Sequence, residues 1–183
     1  MTGMGSHHSS RRGSNVWLTP QHVIEALGSF DLDPCAAEEP RPWPTASRHI
    51  APPADGLTAE WSGRVFMNPP YQDVERWVCK LADHGCGTAL VFARTDTGWF
   101  TRQVWERATA VLFLRGRLHF RLPDGSRAAG NAGAPSCLVA YGRLDADLMA
   151  VSELAGEFVR LSPLSVPSEC GDQFVLDGVE VEA

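Results

Sequence analysis

Arg64-Val65-Phe66-Met67-Asn68-Pro69-Pro70-Tyr71 is the stretch on which the fold turns. Three apolar residues in succession suit a short strand buried on both faces. The strand cannot run on, because proline fixes φ and has no N–H to give to a ladder. Asp73 then stands where a helix cap is needed, and Val74, Trp77, Val78, Leu81 and Ala82 recur at i, i+3, i+4, i+7 and i+8. That period predicts a helix with one apolar face, ended by Gly85. Buried strand, stiff polar turn and amphipathic helix together make a strand–helix unit of an α/β sheet.

The same alternation extends in both directions. Upstream, Thr19 suits an N-cap, Pro20 the first helical position and Gly28 the position after the end, with Val23, Ile24 and Leu27 as the apolar face. Phe30-Asp31-Leu32-Asp33 reads as a strand stopped by Pro34, and the Pro- and Ala-rich residues 36–59 as mostly loop. Downstream, Thr88 to Ala93 and Ala110 to Leu114 are buried strands flanking a helix at 98–108. Arg117 to Arg121 extends the second strand or forms its own. Residues 122–135 hold Pro, Asp-Gly, Gly-Asn and Gly, a long flexible loop. Cys137 to Tyr141 is the next strand, and Leu148, Val151, Leu154, Ala155 and Phe158 predict a final helix. Phe174 to Val181 is a hairpin candidate turning at Asp177-Gly178. The expected architecture is an α/β sheet, mostly parallel, with helices on both faces. Its parts are a flexible segment 1–15, one domain 16–160 and an acidic tail 161–183.

At 183 residues the chain suits one domain with a tail. No apolar run approaches the ~20 residues of a membrane span, and residues 1–15 lack the apolar centre of a secretory signal. Five cysteines without a C-x-x-C pair argue against a disulfide framework and for a reducing, intracellular setting. The net charge of -6 is unevenly spread. From Leu144 onward nine acids face Arg160 alone, whereas residues 94–127 carry seven arginines against Asp96, Glu106 and Asp124. An acidic total therefore leaves room for a basic face that meets nucleic acid.

In a parallel α/β sheet, sites form beyond the carboxyl ends of the strands. Three polar clusters are expected there: Asp31 with Asp33, Asn68 to Tyr71, and Arg94-Thr95-Asp96-Thr97. The second has the clearest chemistry. A Pro-Pro turn offers carbonyls without competing N–H donors, beside an amide side chain and an aromatic ring. The Asn68 side-chain oxygen and the Pro69 carbonyl can each accept one hydrogen of a planar amine, and Tyr71 can stack on the ring bearing it. Two fixed acceptors draw the nitrogen toward tetrahedral geometry and free its lone pair for attack.

A strand followed by this tetrapeptide resembles the signature of S-adenosylmethionine-dependent amino methyltransferases. The wider order of motifs is more specific: Trp17-Leu-Thr-Pro20, Phe30-Asp-Leu-Asp-Pro-Cys35, Asp55-Gly-Leu57, Trp61, Asn68-Pro-Pro-Tyr71, Trp77, Ala93-Arg-Thr-Asp-Thr97, Trp99-Phe100 and Gly116-Arg-Leu-x-Phe120. Over about residues 15–142 the chain resembles the Dam-like DNA N-6-adenine methyltransferases of phages and prophages. The resemblance implies an abbreviated Rossmann-like methyltransferase fold, S-adenosyl-L-methionine as cofactor, DNA as partner and the cytoplasm of a bacterial host as location. It implies that Asn68, Pro69, Pro70 and Tyr71 hold the target adenine. Cofactor contacts would fall to Trp17, Thr19, Pro20, Asp31, Asp33, Pro34, Cys35 and Asp55. DNA contacts would fall to Arg94, Thr95, Asp96, Arg117 and Arg127, and no metal is expected.

Two departures stand out. Asp-Pro-Cys-Ala occupies the place of the glycine-rich loop of larger methyltransferases, and only 33 residues separate Pro34 from Asn68. The sheet must be abbreviated, and sequence reading must come from loops such as 36–59 or 122–135. The same tetrapeptide would also serve cytosine N4, an RNA adenine or a protein glutamine amide. A non-catalytic DNA-binding or virion-associated module that kept the fold is the rival from another class.

Overall fold

The computed structural model describes residues 16–162. Its elements are α1 (Gln21–Leu27), β1 (Leu32–Asp33), β2 (Arg48–His49), β3 (Val65–Met67), α2 (Val74–His84), β4 (Gly87–Phe92), α3 (Gly98–Phe100), β5 (Ala110–Leu114), β6 (Ser136–Tyr141), α4 (Arg143–Ala150) and β7 (Gly156–Arg160). A 3-10 turn over Tyr71–Asp73 leads into α2, and α3 continues as a π-helical turn over Thr101–Trp105. Among the described residues, seven strands form one sheet in the order β2-β1-β3-β4-β6-β5-β7.

The strands divide their side chains by period 2 between two apolar layers. Val65, Met67, Ala89, Val91, Val111 and Val139 face Trp77, Val78 and Leu81 of α2 together with Phe100 and Val104. Phe66, Leu90, Ala110, Leu112, Leu138 and Ala140 face Val23, Ile24 and Leu27 of α1 and Ala146 and Met149 of α4. Helices thus cover both faces, as the continuous apolar strands require.

The mostly parallel expectation needs correction: the sheet is mixed. β2, β1, β3 and β4 pair in parallel, whereas β4–β6, β6–β5 and β5–β7 are antiparallel. The cause is the connection after β5. It returns to the sheet from the edge at which β5 left it, so β6 has to run backwards, between β4 and β5.

Other expectations change as well. Residues 154–158 are not helical: α4 stops at Ala150, and β7 pairs with β5 from Ala110↔Arg160 to Leu114↔Gly156. Helical spacing counted Val151, which is 79% exposed, and overlooked Gly156, where a Cβ would lie 2.4 Å from the Phe113 carbonyl oxygen. Arg117 to Arg121 adds no strand to the sheet. Arg121 instead bridges Leu18 on one side and Arg127 on the other, so residues 120–128 form a small hairpin within what read as loop. The short β2 lies inside the 36–59 loop. Thr19 and Asp73 make no side-chain capping bond, and Pro20 stands at the N-cap of α1 rather than inside it. Residues 1–15 and the tail hairpin lie outside the described residues.

One buried ion pair ties the layers together. Arg64 Nε donates to Asp145 Oδ1 at 2.8 Å, Thr88 Oγ1 donates to the same oxygen at 3.0 Å, and Arg64 Nη1 donates to the carbonyls of Leu27 and Ser29, each at 2.9 Å. The guanidinium also sits 4.0 Å from the centre of the Phe30 ring. Burial pushes the Asp145 carboxyl up, against the pull of Arg64.

Candidate active site

β1, β3 and β4 all end on one edge of the sheet, and a cleft of about 1140 Å³ opens there. Asp33, Pro34 and Cys35 leave β1 into it, Asn68 to Gln72 leave β3, and Phe92 closes β4. Trp17 and Thr19 wall it from the N-terminal segment, and Arg41, Trp43 and Thr45 also line it, with Trp43 Nε1 donating to the Thr19 carbonyl at 3.1 Å.

The tetrapeptide is held from two sides. Asn68 Nδ2 donates to the Trp17 carbonyl oxygen at 3.1 Å. With its NH2 engaged, the amide leaves Oδ1 to accept from whatever enters the cleft. Pro69 is buried, while the Pro70 carbonyl accepts the Asp73 N–H at 3.4 Å and starts the turn into α2. Tyr71 lies flat on Phe92, ring centres 4.0 Å apart and planes 19° apart. The pair leaves Tyr71 43% exposed, so one ring face is backed and the other is open. Partial burial raises the phenol well above its ordinary range, which keeps it neutral and excludes it as a base at neutral pH.

Asp33 lies on the cleft floor with its backbone in β1. One carboxylate oxygen accepts the Thr45 hydroxyl and the other accepts the Cys35 N–H at 3.1 Å. Burial pushes this carboxyl up to about 6, and those two hydrogen bonds hold it from going higher. Burial also pushes the Cys35 thiol up, and the neighbouring Asp33 charge adds to it. A thiol so placed is a wall and not a nucleophile. The loop carrying Thr45 is shaped by His49, whose Nε2 accepts the N–H groups of Thr45 and Ala46 at 3.2 and 3.3 Å. Burial lowers the His49 pKa, which favours the neutral ring those bonds need.

Lys80, the sole lysine, anchors the other wall from α2. Its Nζ donates to the carbonyls of Gly56, Leu57 and Ala59 at 3.2, 2.8 and 2.6 Å and lies 4.7 Å from the Trp61 ring centre. Gly56 packs so tightly beneath Pro34 that a Cβ would come 1.8 Å from the Pro34 oxygen. Asp55 accepts the Leu57 N–H at 2.8 Å, a turn that leaves the carboxylate at the cleft wall.

The structure therefore gathers Trp17, Thr19, Asp33, Pro34, Cys35, Asp55 and the tetrapeptide around one cleft, and leaves others out. Asp31 precedes β1 and points away, its Oδ2 accepting the Arg64 N–H at 2.7 Å. It lies at the amino end of the strand, because the strand begins only at Leu32. Pro20 lines a second cleft. Arg94, Thr95 and Asp96 are exposed beyond β4 but line neither cleft. Arg117 and Arg127 line the second cleft. Trp43, Thr45, Phe92 and the 128–133 segment are wall residues that sequence reasoning missed. Only their place in loops or at the end of a strand on this edge hinted at them.

An α/β sheet with a cleft at its strand ends, lined by a carboxylate and by an amide–proline–aromatic turn, has the architecture in which ligand sites of this fold class form. The family model described as DNA N-6-adenine-methyltransferase (Dam) matches residues 6–157, and the chain belongs to that family. No curated protein and no solved structure matches it. Among the described residues no helix is long and apolar enough to cross a membrane.

Proposed function

We propose that this chain transfers a methyl group from S-adenosylmethionine to the N6 amine of adenine in DNA, with the target base turned out of the stack into the cleft. The observation that carries the reading is the Asn68–Trp17 bond, which occupies the amide's NH2 and leaves its oxygen free to accept, at a cleft that Pro69 and Tyr71 also line.

The donor set fits the cofactor. The cleft exceeds the roughly 300–1,000 Å³ of a single small-molecule site, which leaves room for a cofactor and a base side by side. Asp33 and Asp55 offer carboxylates to ribose hydroxyls or an α-ammonium group, and Trp17 and Trp43 offer ring faces. Bound S-adenosylmethionine supplies an electrophilic methyl group on a sulfonium.

The chain's own residues do the rest. Asn68 Oδ1 and the Pro69 carbonyl accept the two amine hydrogens, and Tyr71, backed by Phe92, holds the purine plane. The amine lone pair, released from the ring, then points along the line of transfer. No side chain at the turn takes a proton first; the methylated nitrogen sheds its surplus proton to solvent after transfer, and the contribution of the turn is alignment and charge stabilisation. A base paired in a duplex cannot reach a recessed turn, so it has to leave the stack. An Asp-Pro-Cys turn packed on Gly56 takes the place of a glycine-rich loop.

The test is methyl transfer from tritiated S-adenosylmethionine to DNA, RNA and protein, followed by nucleoside analysis. N6-methyladenine from DNA is the expected product. Label on N4-methylcytosine, on RNA or on glutamine would move the substrate, and cofactor binding without any transfer would favour a non-catalytic module.

A further inference from the structure

A second cleft, of about 360 Å³, lies beside α1 and the 114–127 segment. It is lined by Arg115, Arg117, Arg121 and Arg127 with His22 and His119, and no acidic residue is among its lining. This is unusual in a chain of net charge -6. Arg115 is tied to Glu157 at 3.0 Å, and Arg117 Nη1 donates to the Ala132 carbonyl at 3.3 Å. Arg121 and Arg127 have neither an ion pair nor a side-chain hydrogen bond among the described residues.

The cleft is separated from the active site by a single backbone layer. Leu18 and Arg121 exchange two main-chain bonds at 2.9 Å, and Arg121 bridges Arg127. In such a ribbon successive side chains point to opposite faces. Phe120, Leu122 and Ala128 accordingly wall the large cleft, while Arg121 and Arg127 wall the small one. Trp17 and Thr19 face the large cleft, and Pro20 the small.

We infer that the small cleft grips the phosphodiester backbone of the substrate DNA next to the nucleotide held in the large one. This rests on the proposed DNA substrate and adds to it the specific anchor: Arg121 and Arg127, with Arg117 beside them, rather than the exposed Arg94. Guanidinium groups fork onto phosphate oxygens, and a groove with no acid in its lining suits a polyanion. A base turned into the large cleft drags its own backbone to the rim, one ribbon away from these arginines. Phosphate contacts carry no sequence information, so this cleft sets affinity and register.

The test is DNA binding by fluorescence anisotropy over a salt series. It uses the full chain, a labelled duplex, and the variants Arg121→Gln/Arg127→Gln, Arg127→Gln, Arg127→Lys and Arg94→Gln. Each lost phosphate contact reduces the slope of log K against log salt by about 0.9 on duplex DNA. The double variant should lose about two units of slope and on the order of tenfold in affinity. Arg127→Gln should lose about one unit, Arg127→Lys should restore it, and Arg94→Gln should keep the wild-type slope. Arg127 is exposed, so its variants test the point even if the double variant folds poorly. A wild-type slope in Arg127→Gln, or an equal loss in Arg94→Gln, overturns the assignment. The binding assay needs no methyl transfer. An inactive enzyme with the expected slopes would sink the proposed reaction alone, and an active one with unchanged slopes would sink this anchor alone.

Discussion

The side-chain amide of Asn68 is bonded to the main-chain carbonyl of Trp17 across 51 positions of sequence, at 3.1 Å. The turn after β3 is thereby aimed by the segment before α1. Asn68→Ala removes the acceptor without touching the core, and Tyr71→Ala removes an exposed ring. Both variants should remain folded, with Tyr71→Ala giving up only the stack on Phe92, and both should lose about 10²–10³ in the rate of methyl transfer. Wild-type turnover by either would remove the turn from the mechanism.

Phe92 backs the Tyr71 ring without reaching the open face. Phe92→Leu keeps an apolar plug but gives up the stack, worth about 0.5–1.5 kcal/mol. The expected result is a higher KM for DNA with a smaller change in kcat, since the ring is less well placed but still present. An unchanged KM would show that Tyr71 needs no support.

Asp33 gives a pH signature. Its carboxyl is pushed from 3.8 up to about 6 by burial, so between those values the folded chain binds a proton that the unfolded chain releases. Stability from this group is complete below pH 3.8 and is lost as pH rises through about 6, to a total of about 3 kcal/mol. Urea denaturation from pH 4 to 7 should show this decline in the wild type and a flatter profile in Asp33→Asn. Identical slopes would mean that Asp33 titrates like an exposed acid. The same substitution should weaken S-adenosylmethionine binding at pH 7.5, where wild-type Asp33 is ionised.

Asp31 and Asp33 differ in kind despite their spacing. Asp31→Ala loses the bond to the Arg64 N–H, and should cost about 1 kcal/mol of stability while leaving cofactor affinity as it is. Calorimetry on both variants separates them. Equal loss of cofactor binding in Asp31→Ala would place the cofactor on the wrong side of β1.

Asp145→Ala strands the Arg64 guanidinium in the interior. Breaking a buried pair from one side costs about 3–5 kcal/mol, a large share of the roughly 5–15 kcal/mol by which a domain is stable. The shift in urea midpoint measures it. A loss below about 1 kcal/mol would mean that water reaches the pair.

The sequence by itself determined, to within a residue at each end, the strands that lie at 65–67, 87–92, 110–114 and 136–141, because unbroken apolar runs bounded by Pro, Gly or charge have one favourable burial. It determined α2 through the i, i+3, i+4 spacing of Val74 to Leu81, and it marked the tetrapeptide, whose two prolines allow few backbone conformations. These are local properties of covalent geometry and hydrophobic period. Only the tertiary structure decided what depends on distant partners. It turned Asp31 to Arg64 and Asp33 to Thr45, two acids of the same local pattern sent to opposite ends of one short strand. It made 156–160 a strand, because β5 offered an unpaired edge that no helical period in 148–158 could register. It ran β6 backwards into the sheet, and it set Arg121 and Arg127 on the far side of a ribbon from the Asn68–Tyr71 turn. Pairing edges, burial of charge and the face a side chain takes are properties of the assembled sheet, and no stretch of the chain carries them alone.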